Sequence, residues 1–215
     1  MDVRINAGLI IGKSRLKSNA RTGTIRAMVI SLLGSSGVKC QVADFSLVID
    51  PPAKKKGSLT LLTKMAFTDG NLIPEEDVIN GPGEYEVSGV KIKGVNLPKE
   101  GGKSEGKTAY SILFDDIRLG VLGVLSSKVD DAELDVLGEV DILFTDVEGS
   151  TLGIKDTASL VKKIDPSIVI PVSEKGAKKL LEELGQKVSA QEKFTIKAKD
   201  FNKETSGIQV VWLQE

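Results

Sequence analysis

In a chain of 215 residues with no histidine and a single cysteine, any catalytic or ligand-holding role falls to carboxylates, lysines and hydroxyls. Serine–histidine catalysis is therefore excluded, and Cys40 alone cannot build a multi-cysteine zinc cage. Asp146 and Glu148 follow a strand-like run at 140–144, the carboxyl end where sites of open α/β sheets gather. With Asp69 they form a candidate oxygen-ligand set for Mg²⁺ or Ca²⁺. Three carboxylates among 30 acidic residues are weak grounds for such a site. Lys64 is a candidate amine, but a catalytic amine needs a depressed pKa that sequence does not reveal. Ser35 and Ser36, within Gly34-Ser35-Ser36-Gly37, have no histidine base and no helix directly after them, so they read as turn residues. Ser173 precedes a helix starting at Glu174, which is an N-cap position.

The elements that must position these groups change character along the chain. Residues 1–27 lack periodicity and mix Gly, Ser, Asn and Thr with basic residues. Between residues 3 and 43 there is no acid, against Arg4, Lys13, Arg15, Lys17, Arg21, Arg26 and Lys39. The segment reads as a passive tail or as sequence upstream of a start at Met28. Three other readings stay open: an arm touching something acidic such as nucleic acid, an acid-poor targeting segment, and an edge strand at 9–11. The packed domain is expected over 28–215. Its first half reads as short strands at 28–33, 38–42, 45–49 and 59–63, then hairpins turning at Ser88-Gly89 and Asp115-Asp116. The lysines at 54–56 and the Gly/Lys-rich stretch 98–107 read as surface loops.

The second half alternates. Asp130 and Glu133 stand at capping-box spacing before Leu134 and Leu137. Thr157, Leu160, Val161 and Ile164 share one helix face, as do Ala177, Leu180, Leu181 and Leu184. Strands at 140–144, 168–170 and 207–213 between these helices imply right-handed crossovers and a partly parallel sheet. Net charge is −1, which favours neither nucleic acid nor acidic partners. No apolar run reaches membrane-spanning length, no run has the form of a secretory signal, and one cysteine fits a reducing compartment. A cytoplasmic protein is expected, with its partners unassigned. Homo-oligomers stay open, but no apolar surface stripe identifies an interface.

The runs Leu33-Gly34, Ile49-Asp50-Pro51, Leu61-Leu62-Thr63, Gly81-Pro82-Gly83-Glu84-Tyr85-Glu86-Val87, Leu122-Gly123, Leu137-Gly138-Glu139-Val140-Asp141 and Ile168-Val169-Ile170-Pro171 together carry a resemblance. From about Met28 onward the chain resembles the metallo-β-lactamase fold. Within it, the chain is nearest the small bacterial zinc-dependent hydrolases that include ascorbate-6-phosphate lactonase-like proteins. The resemblance implies an α/β, four-layer αββα sandwich. It also implies metal ligands in an HxHxDH run after the Leu-Leu-Thr strand, where this chain has Lys64, Met65, Ala66, Phe67, Thr68 and Asp69. Lys64 and Ala66 stand at the first two histidines, Thr68 at the aspartate and Asp69 at the last histidine. A slip of one residue would instead put Asp69 at the aspartate.

Further on, the bridging aspartate after Leu122-Gly123 is Val124, the histidine after Ile170-Pro171 is Ser173, and the one after Leu33-Gly34 is Ser35. Lysine, alanine and valine offer zinc no ligand, so the expectation is no zinc, no cofactor and no hydrolysis: a pseudoenzyme with a binding or scaffold role. Val121 and Val124 are expected to fill the former pocket. Lys64 is expected either to replace a metal's charge beside Asp50 or Asp69 or to point to solvent. Ser35, Asp50, Asp146 and Glu148 make up a residual pocket. The alternative is a residual hydrolase, metal-free or Mg²⁺-dependent, using Lys64 with Asp69, Asp146 or Glu148.

Overall fold

The computed structural model describes residues 26–34, 36–52, 57–66, 77–98, 105–201 and 207–215. The expectations placed on Ser35, Thr68, Asp69, the basic arm up to residue 25 and the lysine run lie outside these residues. For Ala66 only the backbone is described.

The first half is a meander that closes on a parallel pair. Strands β1 (Met28–Leu33), β2 (Gly37–Val42) and β3 (Phe45–Ile49) pair antiparallel, and β4 (Leu59–Leu62) then runs parallel to β3. β5 (Lys64–Ala66) leaves this sheet, and β6 (Val78–Asn80) pairs parallel with β4. Strict alternation in β1 sends Met28, Ile30 and Leu32 inward and leaves Val29, Ser31 and Leu33 half-buried.

The chain passes to the second sheet through Gly81-Pro82. There β7 (Gly83–Val87) forms a hairpin with β8 (Val90–Asn96), which pairs with β9 (Glu105–Phe114) and then β10 (Ile117–Val124). β5 pairs with the start of β9. A Cβ on Gly94 would stand 2.6 Å from the Gly81 carbonyl oxygen, so only glycine lets β8 pass this crossing. The Tyr110 hydroxyl, fully buried, donates to the Leu62 carbonyl at 2.8 Å and accepts from Gly81 N–H at 3.0 Å. It thus ties the end of β4, the crossing and β9 together.

From β10 onward, helices alternate with strands. Helix α1 (Asp131–Leu137) leads to β11 (Ile142–Asp146), α2 (Ile154–Ile164) to β12 (Ile168–Pro171), and α3 (Glu174–Glu183) to β13 (Phe194–Ile196) and β14 (Gln209–Val210). β10, β11, β12 and β14 are mutually parallel, as the alternation predicts. The helix signals behave as written. The Glu133 carboxylate accepts from Asp130 N–H at 2.7 Å, Asp165 ends α2 in the left-handed region just before Pro166, and Gly185 follows α3 at φ 67°. The last strand is shorter than residues 207–213, because past Val210 the chain reaches β-geometry again only at the Gln191–Leu213 bridge. β13 instead crosses to the first sheet and pairs with β1.

Two sheets result, ordered β13-β1-β2-β3-β4-β6 and β14-β12-β11-β10-β9-β8-β7. Between them lies a core of Ile30, Cys40 and Leu47 from one side and Ile112, Phe144 and Ile170 from the other. A second core, including Leu143 and Val169, lies under the helices and takes in Leu137, Val161 and Leu180. The two-sheet sandwich expected from the sequence is present. Among the described residues its helices cover the outer face of the second sheet. Among them, too, no helix is long and apolar enough to cross a membrane.

Candidate functional site

A cavity of about 220 Å³ opens between the sheets at the carboxyl ends of β3, β4, β10 and β11. Its walls include Asp50, Thr63, Lys64, Val121, Val124 and Asp146. The two carboxylates are held where strands β3 and β11 end. β3 stops at Asp50, whose backbone turns into the left-handed region at φ 43° while its N–H still donates to the Leu61 carbonyl at 2.9 Å. That turn aims the carboxylate at Thr63. The Thr63 N–H donates to Oδ1 at 2.8 Å and its hydroxyl to Oδ2 at 2.6 Å. Thr63 is itself locked, since its carbonyl accepts from Thr108 N–H at 2.9 Å. Gly123, at φ 65°, approaches so closely that a Cβ there would stand 2.7 Å from the Thr63 hydroxyl.

Asp146 ends β11 opposite Val124 of β10. It is 7% exposed, and its Oδ1 accepts from Gly149 N–H at 2.9 Å. Burial, the largest cause, pushes the Asp50 pKa above its ordinary value, and the Asp146 charge adds to that; the Thr63 hydrogen bonds and the Lys64 charge act the other way.

Several sequence expectations meet here. Lys64, Asp50, Asp146 and Val124 do share one cavity. Lys64 is exposed, and its charge favours the Asp50 carboxylate. Glu148 stands apart, at 2.9 Å from the Lys175 ammonium, which holds its pKa below the usual value. Ser173 is a cap, its hydroxyl accepting from Gly176 N–H at 3.2 Å, and it is 6% exposed. The expectation that Val121 and Val124 fill the pocket is corrected, because space remains between them and Asp50. The register of β10 against β11 shifts between Val121 and Val124. That shift leaves Val124 packed toward the Asp146–Gly149 turn, within 3.1 Å of where a Gly149 Cβ would stand.

Sequence reasoning missed Thr63 as the group that holds Asp50, and Lys107, whose ammonium donates to the Val124 carbonyl at 2.8 Å. A threonine one residue past a strand and a lysine in a glycine-rich stretch carry no signal of these partners.

Among the described residues the donor set does not suit zinc. Such a site needs about three or four ligands from Cys, His and carboxylate, and the described residues contain no cluster of three such side chains. Asp50 has both oxygens engaged by Thr63. Cys40 is buried in the core, where loss of hydration pushes its thiol pKa up and disfavours a thiolate.

A sequence profile describing the Beta-lactamase superfamily domain matches residues 29–173. No curated protein matches the chain in sequence. Among solved structures, one similar fold is a metallo-β-lactamase superfamily protein from Thermotoga maritima, described as a candidate Zn-dependent hydrolase. It has TM-score 0.66 and 20% identity, with 87% of this chain and 100% of that chain covered. The metallo-β-lactamase fold protein YhfI from Bacillus subtilis superposes with TM-score 0.55 at 10% identity, covering 81% of this chain and 100% of its own. Igni18, a metallo hydrolase from Ignicoccus hospitalis, gives TM-score 0.52 at 15% identity over 79% of this chain and 98% of that one. With two stacked sheets, parallel strands feeding the second, and a profile match over most of its length, the chain belongs to the metallo-β-lactamase superfamily.

Proposed function

We propose that this protein is a catalytically inactive, zinc-free member of the superfamily that keeps the fold for binding. One observation carries the reading: among the described residues the cavity at the strand ends offers two carboxylates, one of them fully engaged by Thr63, where hydrolysis would need a metal with an open position for water. The Gly81–Val87 run supports a place near the ascorbate-6-phosphate lactonase-like branch, and the single cysteine supports a cytoplasmic setting. The competing reading, a residual hydrolase, loses one of its carboxylates because Glu148 is tied to Lys175 on the surface. The test is hydrolysis of a phosphodiester, a lactone and a β-lactam with added Zn²⁺ or Mg²⁺. Rates equal to the protein-free blank are expected. Turnover that survives Lys64→Ala and Asp146→Asn would point to a contaminant, whereas turnover lost in either variant would establish the residual hydrolase.

A further inference from the structure

The geometry points to the open edge of β7 as the docking site of this chain's own basic segment, Lys13–Lys17. Neither the cavity nor its carboxylates take part, so the site is independent of the zinc question. Among the described residues β7 pairs only with β8 and ends the second sheet. The two-residue turn Ser88-Gly89 makes Val87 and Val90 a hydrogen-bonded pair, and bonding alternates along an antiparallel pair. Glu84 and Glu86 therefore aim their backbone N–H and C=O groups away from β8, at the open edge. Such an edge is a template for one more strand.

Both faces of the edge specify that strand. On the outer face Glu84 and Glu86 are exposed opposite Lys93 and Lys91 of β8, yet among the described residues neither glutamate has an ion pair. The lysines lie on the β8 side only, so cations on an added strand take the other side of each carboxylate. On the inner face Tyr85 and Val87 are half-buried against the core, and an apolar neighbour completes their cover. A second copy of β7 does not meet these terms, because its glutamates would stand beside these.

Residues 13–17 lie outside the described residues, and their sequence has the required alternation: Lys13, Arg15 and Lys17 on one side, with Leu16 between them. Of the strands that end the two sheets, β7 alone carries acidic residues, whereas β13 is flanked by Lys193 and Lys197. Strand directions also suit a segment that leads into β1. β1 runs parallel to β3, towards the cavity, and β7 runs antiparallel to β10, away from it. The chain thus enters β1 at the end of the molecule where β7 finishes. In the order β1-β2-β3-β4-β6 the outer strands lie about 19 Å apart, and the second sheet, which β7 enters after Gly81-Pro82 alone, about 10 Å away. From Lys17 to Arg26 the extended chain reaches about 30 Å, which spans that distance.

The experiment is amide hydrogen exchange at Glu84 and Glu86 in the full-length ¹⁵N-labelled protein. Exchange there is expected to be at least about tenfold slower in the wild type than in the triple variant Lys13→Glu/Arg15→Glu/Lys17→Glu, with the difference shrinking in about 1 M salt. The amides of Ile112 and Ile170, in interior strands, are expected to exchange equally in both and show that the variant is folded. A second variant, Glu84→Gln/Glu86→Gln, keeps the basic segment and removes its acidic partners; after correction for intrinsic rates it is expected to lose the same protection. Fast exchange at both positions in the wild type overturns the proposal, and so does protection that persists in either variant. Protection that rises with protein concentration assigns the edge to a second copy and overturns it equally.

Discussion

Asp50 shows how a single side chain is poised by opposing forces. Burial and Asp146 disfavour its charged form, while Thr63 and Lys64 favour it, and burial prevails. For a carboxyl whose folded pKa is raised, the native state holds more protons than the unfolded state between the ordinary value of 3.8 and the folded one. Stability therefore falls as pH rises through that window, and the deficit is complete above the folded pKa. Asparagine tolerates positive φ and still meets Thr63, but it does not titrate. Between about pH 4 and pH 7 the wild-type Tm is expected to decline relative to that of Asp50→Asn. Parallel Tm profiles from thermal denaturation would contradict this. At this scale the sequence reveals residue types but not partners. Asp50 stood out as a carboxylate in an Ile-Asp-Pro run, while its engagement by Thr63 depends on a left-handed turn and a strand pairing thirteen residues apart.

Elements were more legible, because periodicity and caps are local. β1 and β3 begin and end where their apolar runs do, and α2 and α3 follow their apolar stripes. The ends that drift are set by pairing: β11 extends to Asp146, beyond the apolar run, because Val124 of β10 lies beside it. Ser173 belongs to this scale. At a position where the resemblance implies a metal ligand, its hydroxyl serves the first turn of α3. Ser173→Ala is expected to cost about 1 kcal/mol in urea unfolding, the ordinary value of an N-cap. An unchanged midpoint would show that the cap carries no stability. Elements also explain the cavity that pattern reading expected to be closed. Apolar residue types at 121 and 124 suggested filling, but the register shift at Gly123 that separates them is a tertiary feature.

At the scale of the molecule, the framework stands independently of the positions where relatives' metal ligands are implied. The core between the sheets is built from Met28, Leu47, Tyr110, Ile112 and Phe144. Lys64 is exposed, Val124 is half-buried and Ser173 caps a helix. On the zinc-free reading proposed above, folding would not depend on metal. The measurement that tests this account most directly is zinc content after equilibration. The purified protein, dialysed against micromolar Zn²⁺ and then metal-free buffer, is analysed by mass spectrometry of the elements. The account predicts fewer than about one zinc per ten chains and a Tm unchanged by chelator. One or more zinc ions retained per chain, with a Tm that falls when they are stripped, would contradict it.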